Sequence, residues 1–137
     1  MAAGTNRMMV LVDTTVWIDF FSAKPEPHVN TFEKLIVDRE DICICGIIFT
    51  EILQGIRDDT EFSQTRRLLG NVIFLPMQVD DYVRSAQIYR HLRRKGITVR
   101  KSVDCMIAAV AMAHDVFLLH NDRDFLPIKK HFGLKAL

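Results

Sequence analysis

Four short apolar runs, separated by segments with helical periodicity, constrain the fold of this chain more than any other feature of its sequence. The first run, Met9 to Val12, is apolar throughout and lacks the polar alternation of a strand with one face in water. Strands of this kind belong in a parallel sheet whose two faces are covered by helices. Strands are predicted over residues 9–12, 42–45, 72–75 and 116–119, with a candidate edge strand over 134–137.

The segments between these runs carry apolar residues at helical spacing. Helices are predicted over residues 14–21, 29–38, 47–56, 61–69, 80–95, 103–114 and 124–131. The segment 103–114 is apolar nearly all round, which predicts a buried helix. Strands that alternate with helices along the chain predict an α/β fold around a parallel sheet.

The chain has 137 residues and contains no linker or repeat, so a single domain spanning residues 1–137 is expected. No apolar run approaches the roughly 20 residues needed to span a bilayer. Met1 to Met9 lacks the apolar core of a signal peptide, which predicts a cytoplasmic protein.

Cys43 and Cys45 alternate along a predicted strand, and with Cys105 they supply too few ligands at suitable spacing for a zinc site. Buried, reduced thiols are expected.

The basic residues are concentrated in one segment, although the net charge is only +1. Seven lysines and arginines lie between Arg84 and Val103, with no acidic residue among them, and the rest of the chain carries an excess of acid. Such a segment suits a polyanionic partner, but it is equally consistent with a solvated helix face.

The acidic residues are best judged against the predicted sheet, because ligands of open α/β sheets bind beyond the carboxyl ends of the strands. Asp13 is the first residue after strand one, and Asp122 lies three residues after the end of strand four, with Asp124 two residues further on. Glu51 lies one turn into the helix that follows strand two. Asp104 opens the buried helix, where an acid has no packing role.

Each acid also has a purely structural interpretation. Asp13 is a suitable N-cap for the helix that follows it, and Asp104 fits the first turn of its own helix with Ser102 as the cap. Asp122 and Asp124 are common turn residues, and Glu51 suits a solvated helix face.

The joint placement of these acids at one edge of the predicted sheet favours a functional role over the structural ones. Two carboxylates about 4 Å apart repel by roughly 4 kcal/mol at an effective dielectric constant near 20. Several at one edge of a sheet therefore need a cation or a proton, and ligands that are all oxygen select hard ions such as Mg²⁺ or Mn²⁺. Sites of this kind hydrolyse phosphodiesters.

Four stretches of the sequence resemble the PIN-domain ribonucleases, and among them the VapC-type toxins of toxin–antitoxin pairs. These are the opening LVDTTVWIDFF, the central TEILQG, the stretch GITVRKSVDCMIAAVA and the closing HNDRDF. The resemblance extends from about Met9 to the C-terminus. It implies a single PIN-like domain, a three-layer α/β/α sandwich around a short central parallel sheet.

The resemblance also implies roles for particular residues. The catalytic acids would be Asp13, Glu51, Asp104 and Asp122, and the metal ligands Asp13, Asp104, Asp122 and Asp124. Glu51 would complete the site or orient the attacking water. The orienting residues would be Thr14, Thr15 and Asn121. One departure is His120, where many relatives have threonine; a supporting or surface role is expected for it in preference to contact with metal or phosphate.

By the same resemblance the chain would be a Mg²⁺- or Mn²⁺-dependent endoribonuclease that cleaves transfer or ribosomal RNA. It would form a homodimer and be inhibited by a cognate VapB-type antitoxin. The basic segment would then line the RNA groove, and the candidate contacts to phosphate are Arg93, Arg94, Arg100 and Lys101.

Three other classes of protein are alternatives to a ribonuclease. A phosphoacceptor receiver needs an aspartate at the end of strand three, where this chain has Phe74 to Met77 without an acid. A haloacid-dehalogenase-type phosphatase needs a second aspartate two residues after the first, and Asp13 is followed by two threonines. A catalytically silent PIN-fold module that binds RNA or protein stays open as the alternative.

Overall fold

A computed structural model describes residues 6–137 of the chain. The interpretation of Met1 to Met9 as a segment without a signal peptide falls largely on residues 1–5, which lie outside the described residues. Within residues 6–137, none of the helices combines the length and the hydropathy needed to cross a membrane. The single domain over residues 1–137 stays a prediction.

The four predicted strands form one parallel sheet. The strands are β1 (Met9–Val12), β2 (Asp41–Cys45), β3 (Ile73–Leu75) and β4 (Phe117–Leu119), in the spatial order β3-β2-β1-β4. Val10 at the centre of the sheet is paired with Ile42 on one side and Phe117 on the other. The candidate edge strand over 134–137 is wrong as a full strand. The segment contributes a single parallel bridge, Leu118 to Ala136, because only two backbone hydrogen bonds join it to β4.

Seven helices are described, and each begins and ends within two residues of its predicted limits. They are α1 (Thr14–Phe21), α2 (Pro27–Val37), α3 (Gly46–Gln54), α4 (Asp59–Leu69), α5 (Val79–Arg94), α6 (Ser102–Ala113) and α7 (Phe125–Phe132).

The strand order determines which face of the sheet each helix covers. The chain moves from β1 to β2 to β3 in one direction and then returns to the other side of β1 to form β4. Because parallel crossovers are right-handed, α1–α4 lie on one face and α5 and α6 on the other, where α7 packs against them. The three-layer α/β/α sandwich is therefore confirmed. The direction of winding reverses between β1 and β4, which places the ligand-binding edge beyond Val12 and Leu119.

The core is centred on the sheet and α6, and buried residues of the other helices pack around them. Val10, Leu11, Val12, Ile44 and Leu118 are completely buried, as expected for strands covered on both faces. The prediction that α6 is buried is confirmed by the run from Ile107 to Ala111. All three cysteines are buried and unpaired, as the sequence predicted. The core thus holds the end of β1, the end of β4 and the start of α6 in a fixed arrangement.

Candidate active site

Asp13 joins the end of β1 to the start of α1. Its backbone N–H donates to the carbonyl of Leu119, 2.9 Å away, so the ends of β1 and β4 are tied together. Its side chain is 4% exposed and caps α1, with Oδ2 accepting hydrogen bonds from the N–H of Thr15 (3.2 Å) and from its hydroxyl (2.7 Å). The N-cap interpretation is therefore right in its geometry. Both bonds go to Oδ2, so capping engages one oxygen of the carboxylate.

Three aspartates meet beyond the end of β4. Asp104, Asp122 and Asp124 each offer a carboxylate oxygen, and these oxygens all lie within 4.8 Å of one another. Asp104 comes from the first turn of α6, whereas the other two come from the loop between β4 and α7. The loop is held by the backbone N–H of Asp124, which donates to Oδ1 of Asp122 at 2.9 Å. Three carboxylates separated by up to 20 residues in sequence thus share one small volume.

A role as an acid in the first turn of α6 does not explain the burial of the Asp104 carboxylate. Its side chain is 3% exposed, and its Oδ2 is buried without a hydrogen-bond partner in the described structure. Ser102 cannot cap α6, because the helix begins at Ser102 and the capping residue is Lys101. A buried carboxylate oxygen without a partner is costly, since its lost hydration is not replaced. An all-oxygen group with such an orphaned atom fits a hard divalent cation.

The electrostatics of Asp104 are consistent with this fit. The pKa of its carboxyl group is raised to about 7, mainly by burial; Lys101 opposes the rise, and the negative charges of Asp122, Asp13 and Asp124 add to it. Asp13 therefore acts in the same electrostatic field, although its oxygens lie outside the group of three. A perturbed carboxyl group in a charged cluster is a common property of functional sites.

Two cations contact the acidic loop. Lys101 Nζ lies 2.8 Å from Asp122 Oδ2, and Arg100 Nε lies 3.4 Å from Asp124 Oδ2. Burial alone would raise the pKa of Asp122, but the hydrogen bonds from Lys101 and from the Asp124 N–H outweigh burial, and the pKa is lowered. These ion pairs were not predicted from the sequence. The only signal was the position of the two cations, three and four residues before Asp104.

Glu51 lies outside the group of three aspartates and is positioned by Thr14. The Thr14 hydroxyl donates to Oε1 of Glu51 at 2.8 Å, which connects the start of α1 to the second turn of α3. Glu51 also lines an open cleft of about 550 Å³, together with Phe74 and Tyr82. Val103, the neighbour of Asp104, lines the same cleft, so the cleft adjoins the start of α6.

Thr15, Asn121 and His120 support the acids through hydrogen bonds. The Thr15 hydroxyl, which donates to Asp13, accepts from the backbone N–H of Asn121 at 3.3 Å. Nδ1 of His120 accepts from the backbone N–H of Asp122 at 3.2 Å, and its ring packs on Phe125 at 4.8 Å between centroids. Burial lowers the pKa of His120, which favours the neutral ring that can accept this bond.

The four candidate RNA contacts fall into two pairs. Arg100 and Lys101 contact the acidic loop, as described above. Arg93 and Arg94 lie in the last turn of α5, and neither forms an ion pair within residues 6–137. Arg93 packs over the ring of Tyr89, and Arg94 lines a shallow groove with Arg84 and Arg90.

The chain is similar to known proteins over most of its length. A family model described as the PIN domain matches residues 10–130. The VapC ribonuclease Mb1587 of Mycobacterium bovis is 36% identical over 132 residues, covering 93% of this chain and 97% of the relative. Ribonuclease VapC18 of Mycobacterium tuberculosis is 26% identical over 121 residues, covering 86% of this chain and 85% of the relative.

Solved structures share the fold. VapBC-1 from nontypeable Haemophilus influenzae matches with a TM-score of 0.74 at 18% identity, over 95% of this chain and 97% of that one. VapBC2 from Rickettsia felis, bound to a DNA fragment from its promoter, matches with a TM-score of 0.73 at 19% identity, over 95% and 98%.

Proposed function

Because the chain belongs to the PIN-domain family, among the VapC-type ribonucleases, we propose that it is a metal-dependent endoribonuclease that acts as the toxin of a toxin–antitoxin pair. The observation that carries this proposal is the meeting of Asp104, Asp122 and Asp124 around a buried, unpartnered carboxylate oxygen. The reaction is hydrolysis of a phosphodiester bond in RNA, with transfer RNA and ribosomal RNA as the substrate classes.

The metal ligands in this proposal are Asp13, Asp104, Asp122 and Asp124. Their donor atoms are all carboxylate oxygens, which favours Mg²⁺ or Mn²⁺ over softer ions. A divalent cation held there would activate the attacking water and neutralise negative charge on the phosphate.

The remaining polar residues of the site orient these groups. Glu51, fixed by the Thr14 hydroxyl, faces the cleft and orients the water that attacks phosphorus. Thr15 fixes Asp13 and, through its bond from Asn121, the first residues of the acidic loop. Arg93 and Arg94 are exposed and free to contact the RNA backbone, and Arg100 and Lys101 join them when they leave the acids.

The proposed partners are RNA, a second copy of the chain and a VapB-type antitoxin. The similar solved structures from Haemophilus influenzae and Rickettsia felis are described as VapBC, which motivates the antitoxin. A protein that cleaves transfer or ribosomal RNA acts in the cytoplasm, and we place this chain there. Expression of the chain alone should arrest growth, and co-expression of the antitoxin should restore it.

The nuclease is tested directly with purified protein freed of antitoxin. Total cellular RNA is incubated with the protein in EDTA, in Mg²⁺ and in Mn²⁺, and new RNA ends are counted. Cleavage that needs a divalent cation supports the proposal. Intact RNA in both metals, together with measured metal binding, would instead favour a silent module that binds RNA or protein.

A further inference from the structure

The Lys101 ammonium contacts Asp122, one of the carboxylates proposed to bind the metal ion. Its Nζ lies 2.8 Å from Asp122 Oδ2, the distance of a charge-assisted hydrogen bond. Asp122 belongs to the same three-carboxylate group as the orphaned oxygen of Asp104. The Lys101 ammonium therefore neutralises part of the negative charge at Asp122, as Arg100 does more weakly at Asp124.

The rest of Lys101 allows its side chain to leave this position. Lys101 is the N-cap of α6, its carbonyl accepts from the N–H of Asp104 at 3.1 Å, and its side chain makes no capping bond. The backbone is thus fixed by the helix, whereas the side chain is 52% exposed and has an open route to solvent. Moving the ammonium group away from Asp122 leaves the start of α6 unchanged.

We propose that Lys101 is a built-in competitor for the divalent cation, which displaces the Lys101 ammonium from Asp122 when it binds. Oδ1 of Asp122 already accepts the N–H of Asp124, so the ammonium occupies the remaining oxygen, Oδ2. A divalent cation bound a few Å from the ammonium would be repelled by it, so occupancy by one lowers the affinity for the other. The displaced ammonium, on a side chain that is 52% exposed, is then free to contact an RNA phosphate. The inference rests on the proposed function, and it assigns to one residue both a limit on metal loading and a contact to substrate.

The test is the affinity for Mn²⁺, measured by calorimetry on EDTA-treated protein after removal of the chelator. Lys101→Met keeps the aliphatic stem and removes the charge. We expect the Kd for Mn²⁺ to fall about tenfold, equivalent to about 1.4 kcal/mol. The melting temperature without metal should fall as well, because the cluster has lost its internal counter-ion.

Two variants serve as controls. Lys95→Met makes the same change of charge at an exposed residue six positions earlier in the chain, and it should leave the Kd unchanged. Lys101→Arg keeps a cation beside Asp122 and should restore weak binding close to that of the wild type.

Equal Kd values for the wild type and Lys101→Met would overturn the competition, as would weaker binding by that variant. These outcomes are separate from the failure of the nuclease. A protein that shows the tenfold change without cleaving RNA would support the competition and refute the proposed function. If the wild type cleaves RNA but Lys101→Met leaves the Kd for Mn²⁺ unchanged, the proposed function is supported and the competition is refuted.

Discussion

The hydroxyl of Thr14 donates a 2.8 Å hydrogen bond to Oε1 of Glu51, 37 residues further along the chain. This bond is the polar link between the end of β1 and the acid on α3. Glu51 lies outside the group of Asp104, Asp122 and Asp124. The bond from Thr14 fixes the position of Glu51 relative to the start of α1. Thr14 is therefore a positioning residue for Glu51.

Thr14→Val should slow RNA cleavage by about 10-fold to 100-fold, the usual cost of removing a residue that orients a metal site. Stability should fall by only about 1 kcal/mol, since a single hydrogen bond is lost. Cleavage kinetics and urea unfolding measure the two effects. Thr31→Val is the matched control, because the Thr31 hydroxyl donates to the Pro27 carbonyl of its own helix and Thr31 does not line the cleft beside Glu51. Equal rates for the two variants would show that the link to Glu51 has no role.

Metal-free stability should depend on pH through Asp104. Its pKa is raised to about 7 in the folded protein, mainly by burial, against an ordinary value of 3.8. Below the ordinary value the group is protonated in both states. As the pH rises towards 7, the unfolded chain releases a proton that the folded protein retains, so stability falls.

Asp104→Asn should remove this loss. The free energy of unfolding of the variant, relative to wild type, should rise by about 2 kcal/mol between pH 5 and pH 8. Urea unfolding in EDTA measures it. His120 has a lowered pKa and contributes a slope of the opposite sign, but it does so in both proteins and cancels in the comparison. Parallel pH profiles would mean that Asp104 ionises at its ordinary value.

His120→Phe should weaken metal binding while leaving the fold intact. The change keeps an aromatic ring against Phe125 but removes the Nδ1 acceptor that holds the backbone of Asp122. The expected loss of Mn²⁺ affinity is about tenfold. His120→Asn offers a side-chain oxygen near the same place and should recover part of that loss. If the phenylalanine variant binds metal as tightly as the wild type, the bond to Asp122 does not position the ligand.

The exposed arginines of α5 should contribute to the salt dependence of RNA binding. Replacing Arg93 and Arg94 together with glutamine should reduce the slope of log K against log salt by about 1.4, if each contacts one phosphate of single-stranded RNA. Fluorescence anisotropy of a labelled RNA at several salt concentrations measures the slope. Arg66 and Arg67 on α4 supply a control pair with the same change of charge. An unchanged slope in the α5 pair would remove these residues from the RNA surface.

The sequence was sufficient to predict the fold because its signals are local. The apolar run at Met9 and the helical spacing of 80–95 determine their elements without reference to distant residues. The strand predicted over 134–137 was wrong, because the extent of pairing with β4 depends on a tertiary contact at Leu118.

The candidate site was predictable only in part. The positions of Asp104, Asp122 and Asp124 at one edge follow from the strand order. The contact of Lys101 with Asp122 does not, because a long side chain with four rotatable bonds can point to solvent or to the acids. The Ser102 cap was wrong for a different reason: α6 begins at Ser102, one residue earlier than predicted, so Lys101 takes the capping position.

Sequencing the ends of total cellular RNA after incubation with protein and Mn²⁺ tests most directly whether the cluster of aspartates is needed to cleave RNA. Wild type is compared with Asp104→Asn and with Asp59→Asn, which removes an exposed acid from the start of α4. We expect discrete new ends with the wild type and Asp59→Asn, and none with Asp104→Asn or in EDTA. The same ends in all three proteins, or no new ends in any, would refute the proposed nuclease.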